Sequence, residues 1–184
     1  MAIEPKGALP GQALAYNRNF RGAKDDNQVF EQPAHSLEFR NSLMADSLFC
    51  VKDKVTLVSG ASRGIGKAIA AGFAQRDATV IITGRDESTL AATAAEISTE
   101  SCTVVPIVCD VADVDSIKRA VAQVVDQFGK IDTLVSVAGV NIRQPATHFT
   151  ADEYDFVVDI NLKGAFFIAQ EVGKQMVQQG SGSI

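Results

Sequence analysis

The chain has 184 residues, 46% of them hydrophobic, which is enough for one sizeable core and too little for two. A net charge of −5 leaves no basic footprint for nucleic acid or an anionic membrane surface. Cys50, Cys102 and Cys109 are odd in number and lack metal-ligand spacing, so they read as reduced thiols of a cytoplasmic protein, and no apolar run approaches the roughly 20 residues that span a bilayer.

Residues 1–43 stand apart. They hold three of the five prolines, show no sustained helical or strand period, and mix both charge signs. They lack the positive start and apolar centre of a secretory signal, while Glu4, Asp25, Asp26, Glu31 and Glu38 weaken a transit-peptide reading without removing organellar targeting. The expectation is that Met44 is the functional start, which makes 1–43 non-native, or that 1–43 form a disordered extension, with 44–184 as the folded part in either case.

Val55 to Ala70, VTLVSGASRGIGKAIA, reads as a buried strand, a glycine turn and an amphipathic helix. Val55, Leu57 and Val58 form the short apolar run that a parallel strand covered on both faces needs. Gly60, Gly64 and Gly66 follow, and Ile65, Ala68, Ile69, Gly72 and Phe73 then recur at helical spacing. Glycines let the backbone approach a pyrophosphate while amides at the helix start face its charge, so the natural ligand is a dinucleotide. The bland alternative is that Gly64 and Gly66 only permit close helix–strand packing. A P-loop fits poorly, because Ala68 follows Lys67 where a magnesium-binding Ser or Thr is required.

Thr79 to Thr83 reads as a second strand, followed by a helix capped by Asp86 or Ser88 that runs to about Ser98, with Leu90, Ala94 and Ile97 on one face. Thr103 to Val108 is a third strand. Pro106 cannot donate to a ladder, which puts that strand at an edge and agrees with a doubly wound order 3-2-1-4. Asp113 or Asp115 starts the next helix, burying Ile117, Val121, Val124, Val125 and Phe128 and stopping at Gly129. Ile131 to Val137 is strand four, with Leu134, Val135 and Val137 expected on an edge with little cover. Thr150 and Glu153 form a capping box before a helix over 150–179 that carries Phe156, Val157, Ile160, Leu162, Phe166, Phe167, Val172 and Met176. Ser183 and Ile184 resemble the start of strand five. The class is α/β with a parallel sheet.

Several motifs fall in one family's order. The glycine turn Gly-x-x-x-Gly-x-Gly follows Ser59, Asp110-Val111 follows strand three, Ala138-Gly139 follows strand four, and Asn161 sits in DINLKG. From about Asp53 onward the chain resembles the short-chain dehydrogenase/reductase family, and MADSLFCVKDKVTLV from Met44 looks like that family's opening. The resemblance implies an NAD(P)-binding Rossmann-type doubly wound sheet, here reaching the start of strand five, and hydride transfer between a nicotinamide cofactor and an alcohol or ketone. It places the cofactor on Ser59, Gly60, Ser62, Arg63, Gly64, Ile65 and Gly66, on Arg85, with the adenine at Asp110 and Val111 and the ribose near Ala138 and Gly139. It makes Asn161 the helix asparagine of a catalytic tetrad, holding a water that links the active-site lysine to solvent. Ser136 and Val137 replace two asparagines usual in strand four. The segment from Ala138 to Phe167 looks most like gluconate 5-dehydrogenase-like members acting on sugar acids and polyols. The long helix resembles the one through which such subunits dimerise.

Cofactor choice turns on the end of strand two, where a carboxylate would accept from a ribose 2′-hydroxyl and repel a 2′-phosphate. Gly84 is followed instead by Arg85, and Arg63 lies in the glycine turn. Two guanidiniums match a phosphate, so NADP is preferred over NAD. The family's tyrosine, whose pKa a lysine four residues later lowers, has no counterpart: Tyr16 is followed by Phe20 and Tyr154 by Val158. His35 and His148 have no partner pattern for acid–base work. The expectation is an oxidoreductase fragment, inactive alone because it lacks the catalytic Ser, Tyr and Lys; the alternative is a non-catalytic protein that binds a dinucleotide or a partner.

Overall fold

The first strand, β1 (Val55–Ser59), is buried at every position, and this alternation-free apolar pattern places it in the middle of a sheet. The computed structural model describes residues 50–184; the expectations for 1–43 and for Met44 fall outside them. Helix α1 (Gly64–Ala74) follows the glycine turn, then β2 (Thr79–Gly84), α2 (Glu87–Ile97), β3 (Val105–Val108), α3 (Val114–Phe128) and β4 (Thr133–Ser136). A short 3₁₀ turn (Ala146–His148) precedes α4 (Ala151–Val158), a π-helical turn (Asp159–Gly164) and α5 (Ala165–Gln179). The four strands are parallel in the order β3-β2-β1-β4, the doubly wound order that the sequence implies.

Each face of the sheet has its own core. Leu57, Ile81, Ile107 and Leu134 meet Ile117 and Val124 of α3 and Ile168 and Val172 of α5. Val58, Val80 and Ile82 meet Ala70 and Ala74 of α1 and Leu90 and Ala94 of α2. Pro106 stands on the outermost strand opposite Ile82, where its missing N–H removes no ladder bond from the interior. Asp86 caps α2 by accepting from the Thr89 amide at 2.7 Å, and Asp113 caps α3 by accepting from Asp115 at 2.9 Å. Gly129 ends α3 at φ 75°, a conformation glycine adopts without Cβ strain.

Four details depart from the sequence reading. The face α1 turns to the sheet is Gly66, Ala70 and Ala74 and not the set Ile65, Ala68, Ile69, Gly72 and Phe73 whose helical spacing marks the helix; Ile65 is 73% exposed and Ala68 is exposed. The helix start lies so close to the glycine turn that only small residues fit: a Cβ at Gly66 would meet the Gly60 carbonyl and stand 2.9 Å from Ala61 Cα. Strand four begins at Thr133 rather than Ile131, because the Asp132 carboxylate accepts from the Val55 amide at 2.8 Å in place of a ladder carbonyl. Burial raises the Asp132 carboxyl, but hydrogen bonds from Lys130 and Val55 outweigh it and hold the group below its usual range.

The single helix expected over 150–179 is interrupted by the π-helical turn at 159–164. The extra residue per turn shifts the phase, so that Ile160, Gly164, Ile168, Val172 and Met176 are buried while Phe156, Leu162 and Phe166 face outward. The capping box at its start is present in full, with Thr150 and Glu153 exchanging bonds. Leu134 also has more cover than expected. It is 2% exposed, its amide donates to the Ser183 carbonyl at 2.9 Å, and Ser183 forms a parallel bridge to Thr133 where a fifth strand would begin.

Candidate functional site

The carboxyl ends of β1, β2 and β4 converge on a cavity of about 280 Å³ at the point where the strand order reverses, β2-β1 to one side and β4 to the other. In open α/β sheets this crevice is where ligands bind. Its floor is the glycine turn, with Gly60, Ser62, Arg63, Ile65 and Gly66 in the lining. Arg85 stands on one wall, Asp110 and Val111 on the next, and Ala138 and Gly139 opposite. Of the twelve cofactor residues expected from the sequence, Ser59 and Gly64 do not line the cavity.

Gly60 sits at φ 76°, and a Cβ there would lie 2.5 Å from Ala138 Cα. The turn is pinned to β2, since the Gly60 and Ala61 amides each donate to the Thr83 carbonyl at 3.0 Å. Ser59 is fully buried beneath the turn; its hydroxyl and that of Thr83, its partner across the ladder, have no hydrogen-bond partner among the described residues.

The start of α1 faces this floor without a side-chain cap and with no acidic residue in its first turn. The first amides of a helix are unpaired within it and carry partial positive charge, so an uncapped start is a ready donor set for phosphate oxygens. Arg63 and Arg85 make no ion pair among the described residues, which leaves two guanidiniums at the cavity. The carboxylate nearest in sequence to Arg85, that of Asp86, caps α2 through Oδ1, and its Oδ2 has no hydrogen bond among the described residues. Asp86 accepts from the Thr89 amide and from the Ser88 hydroxyl, and these bonds lower its pKa to about 2.

Asp110 accepts from the Ala112 amide through Oδ1 at 3.0 Å, a local turn, and its own amide donates to Ser116 Oγ. Both the turn role and a contact to a ligand are therefore open to it, the second oxygen having no hydrogen bond among the described residues. Cys109 beside it also lines the cavity, unforeseen from the sequence. Burial pushes its thiol up to about 11 despite a hydrogen bond with Ser116, which makes it a poor nucleophile.

Asn161 lies in the π-helical turn, outside the cavity lining, and both ends of its amide engage one residue. Oδ1 accepts from the Val140 amide at 2.7 Å and Nδ2 donates to the Val140 carbonyl at 2.8 Å. This clamp fixes the exit of β4, where Gly139 and Val140 line the cavity. Gly164 lets the π-helical turn approach, because a Cβ there would lie 2.7 Å from the Val111 carbonyl. Just past β4 the Val137 amide donates to the Ser59 carbonyl at 3.1 Å and ties the exit of β4 to β1. Val140 and Ile160 complete the wall; nothing local in their sequence marks them. Among the described residues no group of three His, Cys, Asp or Glu is placed to hold a metal, and no helix is long and apolar enough to cross a membrane.

Residues 54–184 match the family model for short chain dehydrogenase. The chain belongs to that family. It is 37% identical to D-threitol dehydrogenase of Mycolicibacterium smegmatis over 142 residues, covering 77% of this chain and 55% of the relative. It is 34% identical to gluconate 5-dehydrogenase of Gluconobacter oxydans over 137 residues, covering 74% and 54%. Actinorhodin polyketide ketoreductase, solved with NADPH, superposes with a TM-score of 0.68 at 32% identity over 71% of this short-chain dehydrogenase and 51% of that chain. The chain thus spans about half the length of the curated relatives it matches.

Proposed function

We propose that this short-chain dehydrogenase carries the cofactor-binding half of an NADP(H)-dependent oxidoreductase acting on an alcohol/ketone pair of the polyol or sugar-acid class. The observation that carries the cofactor choice is the two guanidiniums, Arg63 and Arg85, neither in an ion pair among the described residues, at a cavity whose neighbouring carboxylate caps a helix through one oxygen. A 2′-phosphate fits two planar forks, and the Asp86 carboxylate beside Arg85 is turned to the α2 start, which it caps through Oδ1. The uncapped amides of α1 suit the pyrophosphate, Asp110 the adenine amino group, and Ala138 and Gly139 the ribose.

When bound, the dinucleotide supplies the hydride that a carbonyl carbon accepts. This chain's own residues bind and orient: Gly60 and Gly66 admit the backbone to the phosphates, and Asn161 holds the Val140 wall in place. The substrate class rests on the names of D-threitol dehydrogenase and gluconate 5-dehydrogenase among the relatives. Three free thiols, two of them buried, suit a reducing cytoplasm.

Titration with 2′,5′-ADP and with 5′-AMP tests the cofactor choice. The expected result is an affinity for 2′,5′-ADP about tenfold or more higher, lost in Arg85→Ala, as for a charge-assisted hydrogen bond worth about 1.5–3 kcal/mol. Equal affinities would remove the NADP preference.

A further inference from the structure

The two arginine-bearing turns are held by one helix. Ser62, immediately before Arg63, has its carbonyl accepting a 2.8 Å hydrogen bond from Thr93 Oγ1 on α2. Thr93 is 5% exposed and stands in no recognisable motif. The same helix begins at Asp86, immediately after Arg85, through the cap to Thr89. Seven residues separate Asp86 from Thr93, about 10 Å along the helix axis at 1.5 Å per residue. The glycine turn and the end of β2 also touch between these grips: a Cβ at Gly84 would lie 3.4 Å from Ser62 Cβ and 3.3 Å from Leu90 Cδ1.

A threonine inside a helix ordinarily returns its hydroxyl to a carbonyl one turn back. Here the hydroxyl crosses 31 positions of sequence to the turn at the cavity floor. We propose that Thr93 is a positioning residue that sets the spacing of Arg63 and Arg85, and through it the discrimination between a 2′-phosphate and a 2′-hydroxyl. The inference rests on the NADP reading given above. Thr93 touches no ligand: it acts on Arg63 through the Ser62 carbonyl, while α2 carries the Arg85 end. A second link between α1 and α2, the 2.6 Å pair of Lys67 with Glu96, joins the helices further from the turn and supplies a control.

The test uses the whole chain with 2′,5′-ADP and 5′-AMP as calorimetric probes. Thr93→Val keeps the shape and removes the hydroxyl; the ratio of the two affinities is expected to fall about fivefold, the effect of one lost hydrogen bond, with 5′-AMP binding little changed. Thr93→Ser is expected to keep the ratio, and Glu96→Gln to keep it as well. Thr93→Ala, which also removes the hydroxyl and has less bulk, is expected to lower the ratio likewise and serves where Thr93→Val does not fold. A ratio unchanged in Thr93→Val or, failing that, in Thr93→Ala overturns the spacing role, as does an equal loss for both probes. An unaltered chain that does not prefer 2′,5′-ADP overturns the NADP reading and this inference together.

Discussion

At Gly66 the addition of one methyl group would drive α1 off the turn that it follows, since the Gly60 carbonyl and Ala61 Cα already occupy the space. Overpacking of this kind typically costs about 1–3 kcal/mol. Gly66→Ala is expected to lower the urea midpoint correspondingly and to weaken 2′,5′-ADP binding; an unchanged midpoint would show that the helix start yields without cost. Asp86 gives a pH-dependent counterpart. Its folded pKa of about 2 lies below the ordinary 3.8, so the cap contributes stability above pH 4 that is lost as pH falls from about 4 towards 2. Asp86→Asn still caps α2 but does not titrate, and the difference between the two proteins' unfolding midpoints is expected to change across that window and to be flat above it. Residues of this kind were legible because their chemistry is local: a glycine spacing, a cap, an arginine after a strand. Thr93 was not, because a contact made 31 residues away leaves no periodic trace.

Strands and helices followed from apolar periodicity and caps to within two residues at most ends, and β3 reached the edge for the reason Pro106 gives. The interrupted last helix was not legible. Asp159 to Gly164 contains ordinary helix formers apart from Asn161 and Gly164, and what inserts the wider turn is tertiary, the approach of Gly164 to the Val111 carbonyl and the Asn161 clamp on Val140. The phase shift that results leaves Leu162 67%, Phe166 59% and Val177 83% exposed along one side of the helical segment. An apolar stripe of this length on a helix suits burial against another surface, which makes the homo-oligomer expected through 150–179 open to test. Sedimentation is expected to show a dimer that Phe166→Glu converts to monomer. A monomeric unaltered chain at micromolar concentration would remove that role from the stripe.

At the scale of the whole molecule, the sheet divides the functional problem at β4. On its inner side β4 pairs with β1 and presents Ala138 and Gly139 to the cavity. On its outer side the Leu134 amide bonds Ser183, and strand alternation puts the Leu134 carbonyl and the Ser136 amide on that same side, next in line for a parallel neighbour. The residues expected to hold the cofactor all lie in 59–139, whereas an acid to protonate a substrate oxygen has no candidate of the expected pattern, because Tyr16 has Phe20 and Tyr154 has Val158 four positions on. Binding and turnover should therefore separate. The chain of 184 residues is expected to bind 2′,5′-ADP measurably and to leave the rate of NADPH oxidation by a polyol-derived ketone at its uncatalysed value, since general acid catalysis of about 10²–10⁴-fold needs a positioned donor of suitable pKa. A polypeptide segment that pairs with the outer side of β4 and brings a serine and a Tyr-x-x-x-Lys is expected to restore turnover. Ketone-dependent NADPH oxidation by the 184 residues alone, abolished by Asn161→Ala, would show instead that the acid comes from a residue whose pattern the family does not use, with the exposed His148 and Tyr154 as the first to substitute.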